Sequence, residues 1–501
     1  MNKIKLLYAK NIISRKGGGV RQELSFLALV ENLAFAKSID VLWAGEDSVW
    51  RVLPAAYHRA IDEQKEYWFA RTTVALADNE LLPGNVLCAV RYRAAGAEYW
   101  DNNHGENYSI QADSGIRLTD GYPLLNVESE SCLSDGQSLL PIVVAVDGAL
   151  QARKMTVHWT SDDWQSKQQT ACHFRRGYWN SELLSSARNP NHYGCQVWQA
   201  VLKAGEAFQI QYRISCETRQ QALLDDNFGQ NYTIQRRPLT VMVLNLHCRQ
   251  EDDQDFKLSQ IARAIDDLHV DLVCLQEVAE LWNDGKGDWQ TNTARIINEH
   301  LESPYHLVTD WSHLGFERYR EGVAVLSRYP IEKQQARYVS ASEDPYSIHS
   351  RKVVMAQVKV PYFGRINVFS SHLSWWEDGF AEQFDNLRRW AADEHRDEVV
   401  ASLLAGDFNI KAGAKGYQRV VDSNEYEDQY LAATSPQIFR RIFAARELRW
   451  KRYLDEDQRI DYVFLRKGSA LRVTSGRVVF TEEDYGSVSD HVGYVMTFEP
   501  A

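Results

Sequence analysis

An internal repeat constrains the fold of this 501-residue chain more than any other feature of its sequence. The segment Val30–Trp43 returns as Val146–Trp159, with matching apolar positions and the same final tryptophan. Each copy then closes on a similar polar tail, Asp101–Tyr108 in the first and Asp225–Tyr232 in the second. Self-similarity of this kind indicates one structural unit that is used twice in tandem.

Both copies contain short runs of strand-forming residues, such as Val86–Tyr92 in the first and Phe208–Ile214 in the second. Asn, Asp and Gly residues that favour turns separate these runs, which is typical of small antiparallel sheets. We therefore expect two all-β, immunoglobulin-like sandwiches. Their predicted boundaries are residues 1–115 and 116–236.

The pattern changes after Arg236–Pro238. Apolar strands such as Val241–Leu244 and Leu272–Leu275 flank a helical stretch at Phe256–Leu268, and this alternation continues to the end. The chain is also longer than one hydrophobic core usually organises. We therefore predict a third, mixed α/β domain over residues 239–501, in a multidomain protein.

The charge of the chain is unevenly distributed. It has 56 Lys and Arg against 68 Asp and Glu, a net charge of −12, and about 11 of this excess follows Thr240. An acidic third domain repels polyanions, so we do not expect nucleic acid as a partner. No stretch approaches the roughly 18 apolar residues that a membrane-spanning helix needs, so no membrane partner is expected.

Cysteine usage and the N-terminus predict a cytoplasmic localisation. The seven cysteines are scattered without a CxxC pair, which favours reduced thiols over a disulfide framework or a zinc site. The first apolar run, Leu6–Ala9, is too short for a signal peptide, and no small-residue cleavage site follows it.

Polar and acidic residues stand at or near the ends of apolar runs throughout the third domain. They are Asn245, Glu277, His372, Asp407, Asn409, Asp461, Asp490 and His491. A carboxylate that ends a buried strand points into a cleft, and hard cations prefer such oxygen ligands. The pattern predicts a site for Mg²⁺, with Mn²⁺ as the alternative.

These motifs, among them Leu-Ala-Gly-Asp-Phe-Asn-Ile at 404–410 and Ser-Asp-His at 489–491, resemble those of the endonuclease/exonuclease/phosphatase superfamily. Its members include DNase I, exonuclease III, neutral sphingomyelinases and inositol polyphosphate 5-phosphatases. The resemblance covers residues 239–500. It implies a four-layer αββα sandwich that hydrolyses phosphate esters with a divalent metal.

The resemblance also implies which residues handle the metal and the attacking water. Glu277 and Asp490 are expected to bind the metal or its waters, and Asn245 to fix the metal or the phosphate. Asp407 is expected to align or deprotonate the water, with Asn409 beside it.

Two histidines complete the implied catalytic set. His372 and His491 are expected to face the phosphoryl oxygens, where negative charge grows in the transition state, and Asp461 to orient the His491 ring. The general base stays open between Asp407 and His491. For Asp461 and Asn245, which act indirectly, a mainly structural role is the alternative.

The segment around Gly322 departs from the nuclease pattern. Nucleases of the superfamily place a tyrosine two residues before this glycine, whereas this chain has Arg320 there and Tyr319 one position earlier. Both are candidate substrate-binding residues. The planar guanidinium of Arg320 could clamp a terminal phosphate monoester through two parallel hydrogen bonds.

The end of the first repeat, Glu-Tyr-Trp-Asp-Asn-Asn-His-Gly-Glu-Asn-Tyr at 98–108, resembles family 21 carbohydrate-binding modules. Such modules bind starch or glycogen, because aromatic rings stack on the apolar face of glucose while amides bond its hydroxyls. Some of the aromatic candidates are expected in the core. The candidate residues are Trp50, Tyr99, Trp100, Asn102, Asn103 and Tyr108.

The second repeat keeps less of this pattern. Leu223–Leu224 replaces the Tyr-Trp pair, and Asp226 replaces the first Asn, which weakens the case for sugar binding. A packing or dimerisation role is the expectation for this copy. For both copies, a purely structural scaffold remains the alternative.

Two tryptophans, Trp375 and Trp376, follow His372 closely and are predicted at the rim of the phosphate site. This His-Leu-x-Trp-Trp sequence looks like that of maltose 6'-phosphate phosphatases, which belong to the same superfamily. Indole rings suit a sugar. The leading hypothesis is therefore a phosphatase for a phosphate monoester on an α-glucosaccharide, with maltose 6'-phosphate as the first candidate.

Three other functions compete with this hypothesis. A nuclease of the same fold predicts a basic groove, which the charge opposes. A sphingomyelinase-like phosphodiesterase predicts a secretion signal or a membrane-inserting loop. A glycogen- or starch-binding adaptor predicts that the two repeats localise the protein and that catalysis is secondary.

Overall fold

The computed structural model describes residues 3–16, 19–76, 81–127, 130, 132–175, 192–283, 285–445, 454 and 457–501. Its contacts divide the chain into two compact units, Met1–Arg237 and Pro238–Ala501. The predicted multidomain, largely β organisation is confirmed. Within the described ranges, we find no helix that combines the length and the apolar character needed to cross a bilayer.

The first sandwich of the N-terminal unit is built from two antiparallel sheets. Its strands are β1 Ile4–Lys16, β2 Gly19–Glu31, β3 Lys37–Ala44, β4 Trp50–Pro54, β5 Ala56–Ala60, β6 Lys65–Ala75, β7 Val86–Ala94, β8 Ala97–Asp101, β9 Tyr108–Ile110 and β10 Gly115–Leu118. The sheet orders are β10-β1-β2-β6-β5 and β4-β3-β7-β8, with β9 on β7. Because β10 pairs with β1, this sandwich extends past the predicted boundary at residue 115.

The second sandwich has an equivalent topology. Its strands are β11 Leu124–Val127, β12 Leu139–Asp147, β13 Lys154–Thr160, β14 Gln168–Ala171, β15 His173–Phe174, β16 Cys195–Lys203, β17 Gln209–Glu217, β18 Ala222–Asp225 and β19 Tyr232–Gln235. The sheet orders are β11-β12-β16-β15 and β14-β13-β17-β18, with β19 on β17. Strand for strand, these orders repeat those of the first sandwich, apart from β10. Trp43 and Trp159 are both buried at equivalent positions.

The polar tails of the two repeats fold into equivalent loops. The Tyr108 hydroxyl donates to Asp101, and the Tyr232 hydroxyl donates to Asp225 in the same way. The backbone N–H of Gly105 is accepted by Asn102 Oδ1 at 3.0 Å. Asp226 Oδ1 accepts the equivalent N–H in the second loop at 2.9 Å. The Asn-to-Asp exchange at this position therefore preserves the loop.

An apolar core joins the two sandwiches to each other. It combines first-sandwich residues with second-sandwich residues, namely Leu7, Tyr8, Leu27, Ile61, Tyr67 and Ile116 with Leu125, Val127, Val143, Ala145, Cys195 and Val197. Lys65 lies 4.8 Å from the ring centre of Phe228, and Arg59 lies 4.9 Å from that of Tyr232. Side chains of the first sandwich therefore cover aromatic rings in the tail loop of the second sandwich.

The C-terminal unit contains two mixed sheets. Its strands are β20 Leu239–Asn245, β21 Leu272–Asn283, β22 Lys286–Asp288, β23 His306–Gly315, β24 Tyr319–Ser327, β25 Ile331–Tyr338, β26 Lys352–Val360, β27 Gly364–His372, β28 Val399–Asp407, β29 Tyr426–Asp428, β30 Asp461–Arg466, β31 Leu471–Val479 and β32 Gly493–Pro500. The sheet orders are β23-β24-β21-β20-β32-β31, with β22 on β21, and β25-β26-β27-β28-β30-β29. We call them the first and second catalytic sheets.

Helices connect the strands of this unit, and the four longer ones pack on the outer faces of these sheets. They are α1 Gln254–Asp267, α2 Thr293–His300, α3 Phe380–Glu394, α4 Lys415–Ser423, α5 Gln429–Thr434 and α6 Pro436–Phe439. One core lies between the sheets, where Val243 and Val325 meet Val368. A second core joins the first catalytic sheet to α1 and α2, and a third joins the second catalytic sheet to α3 and α4.

Candidate functional site

The strand ends of the second catalytic sheet align three of the predicted residues. In the β27–β28 pair His372 lies opposite Asp407, and in the β28–β30 pair Asp407 lies opposite Asp461. In the first catalytic sheet, Asn245 lies opposite Gln276, the residue before Glu277. The β20–β21 and β27–β28 pairs are both parallel, so the carboxyl ends of the two strands in each pair lie at the same edge of the sheet. The polar residues at these ends are therefore neighbours.

Asn245 connects the two sheets. Its side-chain amide donates to Glu277 Oε1 at 2.9 Å and to Asp407 Oδ2 at 3.0 Å. Its carbonyl oxygen accepts the backbone N–H of His247 at 2.9 Å. Since the side chain is fully buried, these bonds fix the distance between two carboxylates that come from different sheets.

Glu277 leaves the regular strand at a bulge. The register of β21 shifts between Gln276 and Val278, and Glu277 has a φ of 50°. A bulge of this kind re-aims one side chain, and it brings Glu277 close to Glu321 and His372. Burial and the adjacent Glu321 raise the pKa of Glu277 to about 7.

Asp407 is the most deeply buried of the predicted acids. Its Oδ1 accepts the backbone N–H of Asn409, whose amide group in turn donates to the Leu373 carbonyl. Burial and the neighbouring Asp461 raise the pKa of Asp407 to about 8. Gly406 must precede it, because a Cβ there would lie 2.0 Å from the Ser371 carbonyl oxygen.

Asp461 and His491 lie within hydrogen-bond distance of each other. Asp461 Oδ2 lies 2.8 Å from His491 Nδ1, and His491 Nε2 lies 3.9 Å from Asp407 Oδ2. Burial opposes a charge on His491, but the bond and charge of Asp461 outweigh it and raise the pKa of His491 to about 9. His491 is therefore an imidazolium at neutral pH, with Nε2–H directed toward Asp407.

His372 is held differently, by Arg351, which is not among the predicted site residues. Arg351 Nη1 lies 3.2 Å from His372 Nδ1, and a guanidinium can only donate. The ring proton of His372 is therefore on Nε2, which lies 3.7 Å from Asp407 Oδ2. Burial, reinforced by Arg351, lowers the pKa of His372 well below its usual range, so this ring is neutral.

Glu321 is a second residue that sequence reasoning missed. It is buried, and its Oε1 lies 3.7 Å from His372 Nδ1 and 4.0 Å from Arg351 Nη1. Two features of the sequence could have indicated these residues. Glu321 is an acid within an apolar strand, and Arg351 belongs to a Ser-Arg-Lys run at 350–352 where an apolar strand begins.

The structure does not bring Arg320 to this site. Side chains alternate along β24, so Arg320 lies on the face opposite to Glu321. Its guanidinium lies between the rings of Trp282 and Trp311 and pairs with Glu280 at 3.3 Å. This placement removes the physical basis for the predicted phosphate clamp.

The remaining predicted substrate residues divide between core and surface. Tyr319 is buried next to Cys248. Trp376 packs against the core of the second catalytic sheet, with its ring centre 6.3 Å from that of Phe380. Trp375, by contrast, is 48% exposed and remains available for a ligand.

Asp490 lies at the mouth of the site. Half of its side chain is exposed, and its Oδ1 lies 3.7 Å from His247 Nδ1. His247 also pairs with Glu251 at 2.7 Å, so these three residues form a group with ligand atoms close enough to share a cation.

The deeper residues form two more such groups. They are Glu277 with Glu321 and His372, and Asp407 with Asp461 and His491. Burial, together with the neighbouring carboxylates Glu321 and Asp461, raises the pKa values of Glu277 and Asp407, and a bound cation would offset this cost of ionisation. Hard carboxylate oxygens with an excess of negative charge fit a divalent cation.

Two of the candidate sugar-binding residues share one face of the first sandwich. Trp50 pairs with Ala44 and Ala44 with Leu87, while Trp100 pairs with Arg91, four residues along from Leu87. Trp50 and Trp100 are 47% and 40% exposed. Together with the exposed Val52 and Leu87, they form what we call the apolar platform.

The other four candidates mainly shape the fold. Tyr108 is buried, and Tyr99 packs on Tyr92 with ring centres 5.7 Å apart. Asn102 accepts the Gly105 N–H, and the amide of Asn103 donates to the Asn107 carbonyl. Tyr108 therefore has no ring face open to a sugar.

Family comparisons agree with this geometry. Residues 242–491 match the Endonuclease/Exonuclease/phosphatase family, and residues 11–111 match the carbohydrate/starch-binding module of family 21. The C-terminal unit carries a hydrolase domain of the endonuclease/exonuclease/phosphatase superfamily, which includes phosphatases and nucleases and is generally divalent-metal dependent. The first sandwich carries a family 21 module.

Individual relatives match only part of the chain. The uncharacterized protein YbhP of Escherichia coli (strain K12) is 31% identical over 179 residues, which are 34% of this chain and 66% of that protein. An endonuclease/exonuclease/phosphatase family protein from Leptotrichia buccalis C-1013-b is 22% identical, covers 52% of this chain and 99% of its own, and has a TM-score of 0.43. A mannosyl-6-phosphatase from Bacteroides thetaiotaomicron VPI-5482 is 15% identical over 52% and 99%, with a TM-score of 0.38.

Proposed function

We propose that this protein is a metal-dependent phosphatase that hydrolyses a phosphate monoester on an α-glucosaccharide, with maltose 6'-phosphate as the first substrate to test. The observation that carries the proposal is the pairing of a charged histidine, His491, and a neutral one, His372, around Asp407. A cytoplasmic localisation belongs to the same proposal.

The proposal extends to the fold. We propose that residues 239–501 form a four-layer αββα sandwich and that the N-terminal unit holds two tandem, immunoglobulin-like modules, with the first ending near Leu118. Two sheets with a shared core and helices on both outer faces support the first statement. The repeated strand order supports the second.

Each residue of the site has a physical task in this proposal. Glu277 and Asp490, with Asn245 beside them, would hold Mg²⁺ or Mn²⁺, and the bound ion would neutralise charge on the phosphate. The charge of the bound ion would lower the raised pKa of Asp407, and the ionised carboxylate would then orient the attacking water and accept its proton. Asn245 keeps Glu277 and Asp407 in register.

The two histidines stabilise the phosphoryl oxygens in different ways. His491 supplies a full positive charge through Nε2–H, because Asp461 holds the ring as an imidazolium. His372 supplies a neutral Nε2–H donor, because Arg351 occupies the other nitrogen. Preorganised donors that face developing charge are usually the largest contribution to such catalysis.

Two observations support a sugar phosphate as the substrate: an exposed tryptophan near the site and the negative charge of the domain. Trp375 offers an exposed indole close to His372 in sequence, which suits the apolar face of a sugar ring. The acidity of the domain disfavours long polyanions such as nucleic acid. A compact sugar phosphate satisfies both conditions.

Phosphate release from a substrate panel tests this proposal. With Mg²⁺, we expect turnover of maltose 6'-phosphate to exceed that of glucose 6-phosphate, an inositol polyphosphate and single-stranded DNA. EDTA is expected to lower the rate by at least about 100-fold, since the carboxylate groups lose the cation that balances them. Cleavage of DNA alone would leave only the superfamily chemistry and support a nuclease.

We also propose that the apolar platform binds an α-glucan such as glycogen or starch. Two exposed indoles on one sheet face, backed by Leu87 and Val52, provide the flat surface on which glucose rings stack. The second copy has its tail loop covered by Lys65 and Arg59, so we assign it a supporting role.

Affinity electrophoresis in soluble starch tests the platform. The double variant Trp50→Ala/Trp100→Ala is expected to raise the apparent Kd at least about 10-fold, because it removes both stacking faces. Phe35→Ala is the matched control, since Phe35 is fully exposed in the β2–β3 turn outside the platform. Equal retardation of all three proteins would refute glucan binding at this face.

A further inference from the structure

A separate cavity lies on the outer face of the first catalytic sheet. It is a partly open cavity of about 100 Å³ beside β21 and β24. Val278 and Gly322 form part of its wall and directly follow Glu277 and Glu321, whose side chains belong to the candidate active site. The polar and aromatic groups around it are Glu280, Trp289, Asn292, Asp310, Trp311 and Arg320.

The walls of this cavity are fixed by mutual contacts. The Arg320 guanidinium lies 4.8 Å from the Trp282 ring and 4.9 Å from the Trp311 ring. Glu280 accepts from Arg320 at 3.3 Å and from the Asn292 amide at 3.3 Å. These contacts hold the Trp311 indole in place before any ligand arrives.

Two glycines allow this arrangement. A Cβ at Gly287 would lie 1.8 Å from Glu280 Oε1 and 2.3 Å from Arg320 Nη1. A Cβ at Gly322 would lie 2.1 Å from the Asp310 carbonyl oxygen. Both positions therefore require glycine for the ion pair and the cavity wall to coexist.

The charges of the cavity select against an anion. Glu280 pairs with Arg320 at 3.3 Å, and Lys352, which lies beside the wall, pairs with Asp310 at 3.0 Å, so both of these described cations have a carboxylate partner. A carboxylate offers about four acceptor sites, and Glu280 and Asp310 each use only some of theirs within the protein. They can therefore accept hydroxyl groups from a neutral ligand.

The aromatic groups narrow the ligand class further. Trp289 is 46% exposed at the cavity, and Trp311 is partly exposed in the wall. Indole faces together with carboxylate and amide groups match a pyranose ring, which has an apolar face and a rim of hydroxyl groups. We propose that this cavity binds a neutral glucose unit of an unphosphorylated α-glucosaccharide. The proposal shares its sugar class with the proposed function but requires no hydrolysis.

Calorimetric titration with maltose tests the proposal on the full-length chain. The Trp50→Ala/Trp100→Ala protein serves as the background, so that the apolar platform does not contribute. Adding Trp289→Ala is expected to weaken maltose binding at least about 10-fold, because it removes an exposed stacking face. Adding Phe256→Ala instead is the control, since Phe256 is exposed at the start of α1, outside the cavity.

A second substitution protects the test against a folding defect. Asp310→Asn retains the shape of the side chain but weakens one acceptor, and it is expected to weaken maltose binding severalfold without lowering Tm. Absence of maltose binding in the background protein, or an unchanged Kd in Trp289→Ala, would overturn the proposal. The titrations are done in EDTA and measure maltose binding without any hydrolysis. A negative result in the phosphatase assay would therefore not affect the conclusion about this cavity.

Discussion

Replacing Asp407 by asparagine is expected to lower kcat for phosphate release by at least about 10³-fold, while Tm in EDTA stays at least as high as in the wild type. Activity falls because an amide neither accepts a proton from water nor aligns it as a carboxylate does. Stability is retained because burial and Asp461 raise the pKa of Asp407 to about 8. Its charged form therefore costs folding free energy at neutral pH, and the amide removes that cost.

Steady-state kinetics and thermal unfolding of the same preparations measure both effects. Asp422→Asn is the matched control, since Asp422 is exposed on α4 and bonds only to Gln418 among the described side chains. It is expected to change neither quantity. A variant at position 407 that keeps wild-type kcat would remove Asp407 from the mechanism, and a large loss of Tm would show that its role is structural.

Replacing Asp461 by asparagine is expected to lower kcat by about 10²- to 10⁴-fold and to move the alkaline limb of the pH–rate profile downward. In the wild type, Asp461 raises the pKa of His491 to about 9, so activity that depends on the imidazolium declines as pH rises through that value. Without the carboxylate, the burial of the ring is opposed less strongly, so the decline is expected to begin at a lower pH.

The free energy of unfolding is also expected to depend on pH through the His491 ring. The folded pKa of His491 lies above its unfolded value of about 6.5, so its contribution is fully present below pH 6.5 and is lost as pH rises through 9. In Asp461→Asn this loss between pH 6.5 and 9 should disappear. NMR titration of the His491 ring in both proteins would test this, and an unshifted pKa would contradict the assigned role of Asp461.

Much of the candidate site could be predicted because its residues end recognisable strands. Asn245 and Asp407 each close an apolar run, and the run length identifies the strand without knowledge of its neighbours. The helix predicted at Phe256–Leu268 also corresponds closely to α1. Local periodicity is sufficient for such features, because they depend on one segment at a time.

The residues that the sequence analysis missed or misplaced depend on contacts between separate segments of the chain. Which face of β24 points toward the site depends on the bulge at Glu277 and on pairing between strands, so Arg320 was favoured where Glu321 belongs. Arg351 lies far from His372 in sequence and meets it only through sheet pairing.

The repeats also show what sequence similarity does not predict, namely which aromatic side chains are buried. Sequence similarity predicted two equivalent tails, and the structure gives both the same hydrogen bonds. It could not predict that Tyr108 is buried while Trp50 and Trp100 are exposed, because inward and outward positions alternate and both carry aromatic residues.

The apolar core shared by the two sandwiches determines which fragment could carry the apolar platform on its own. Cutting after Leu118 would leave Leu7, Leu27 and Tyr67 facing water, and a fragment of that kind is prone to aggregate. The smallest fragment that keeps this core covered is therefore the whole unit Met1–Arg237, in which the second sandwich buries apolar side chains of the first.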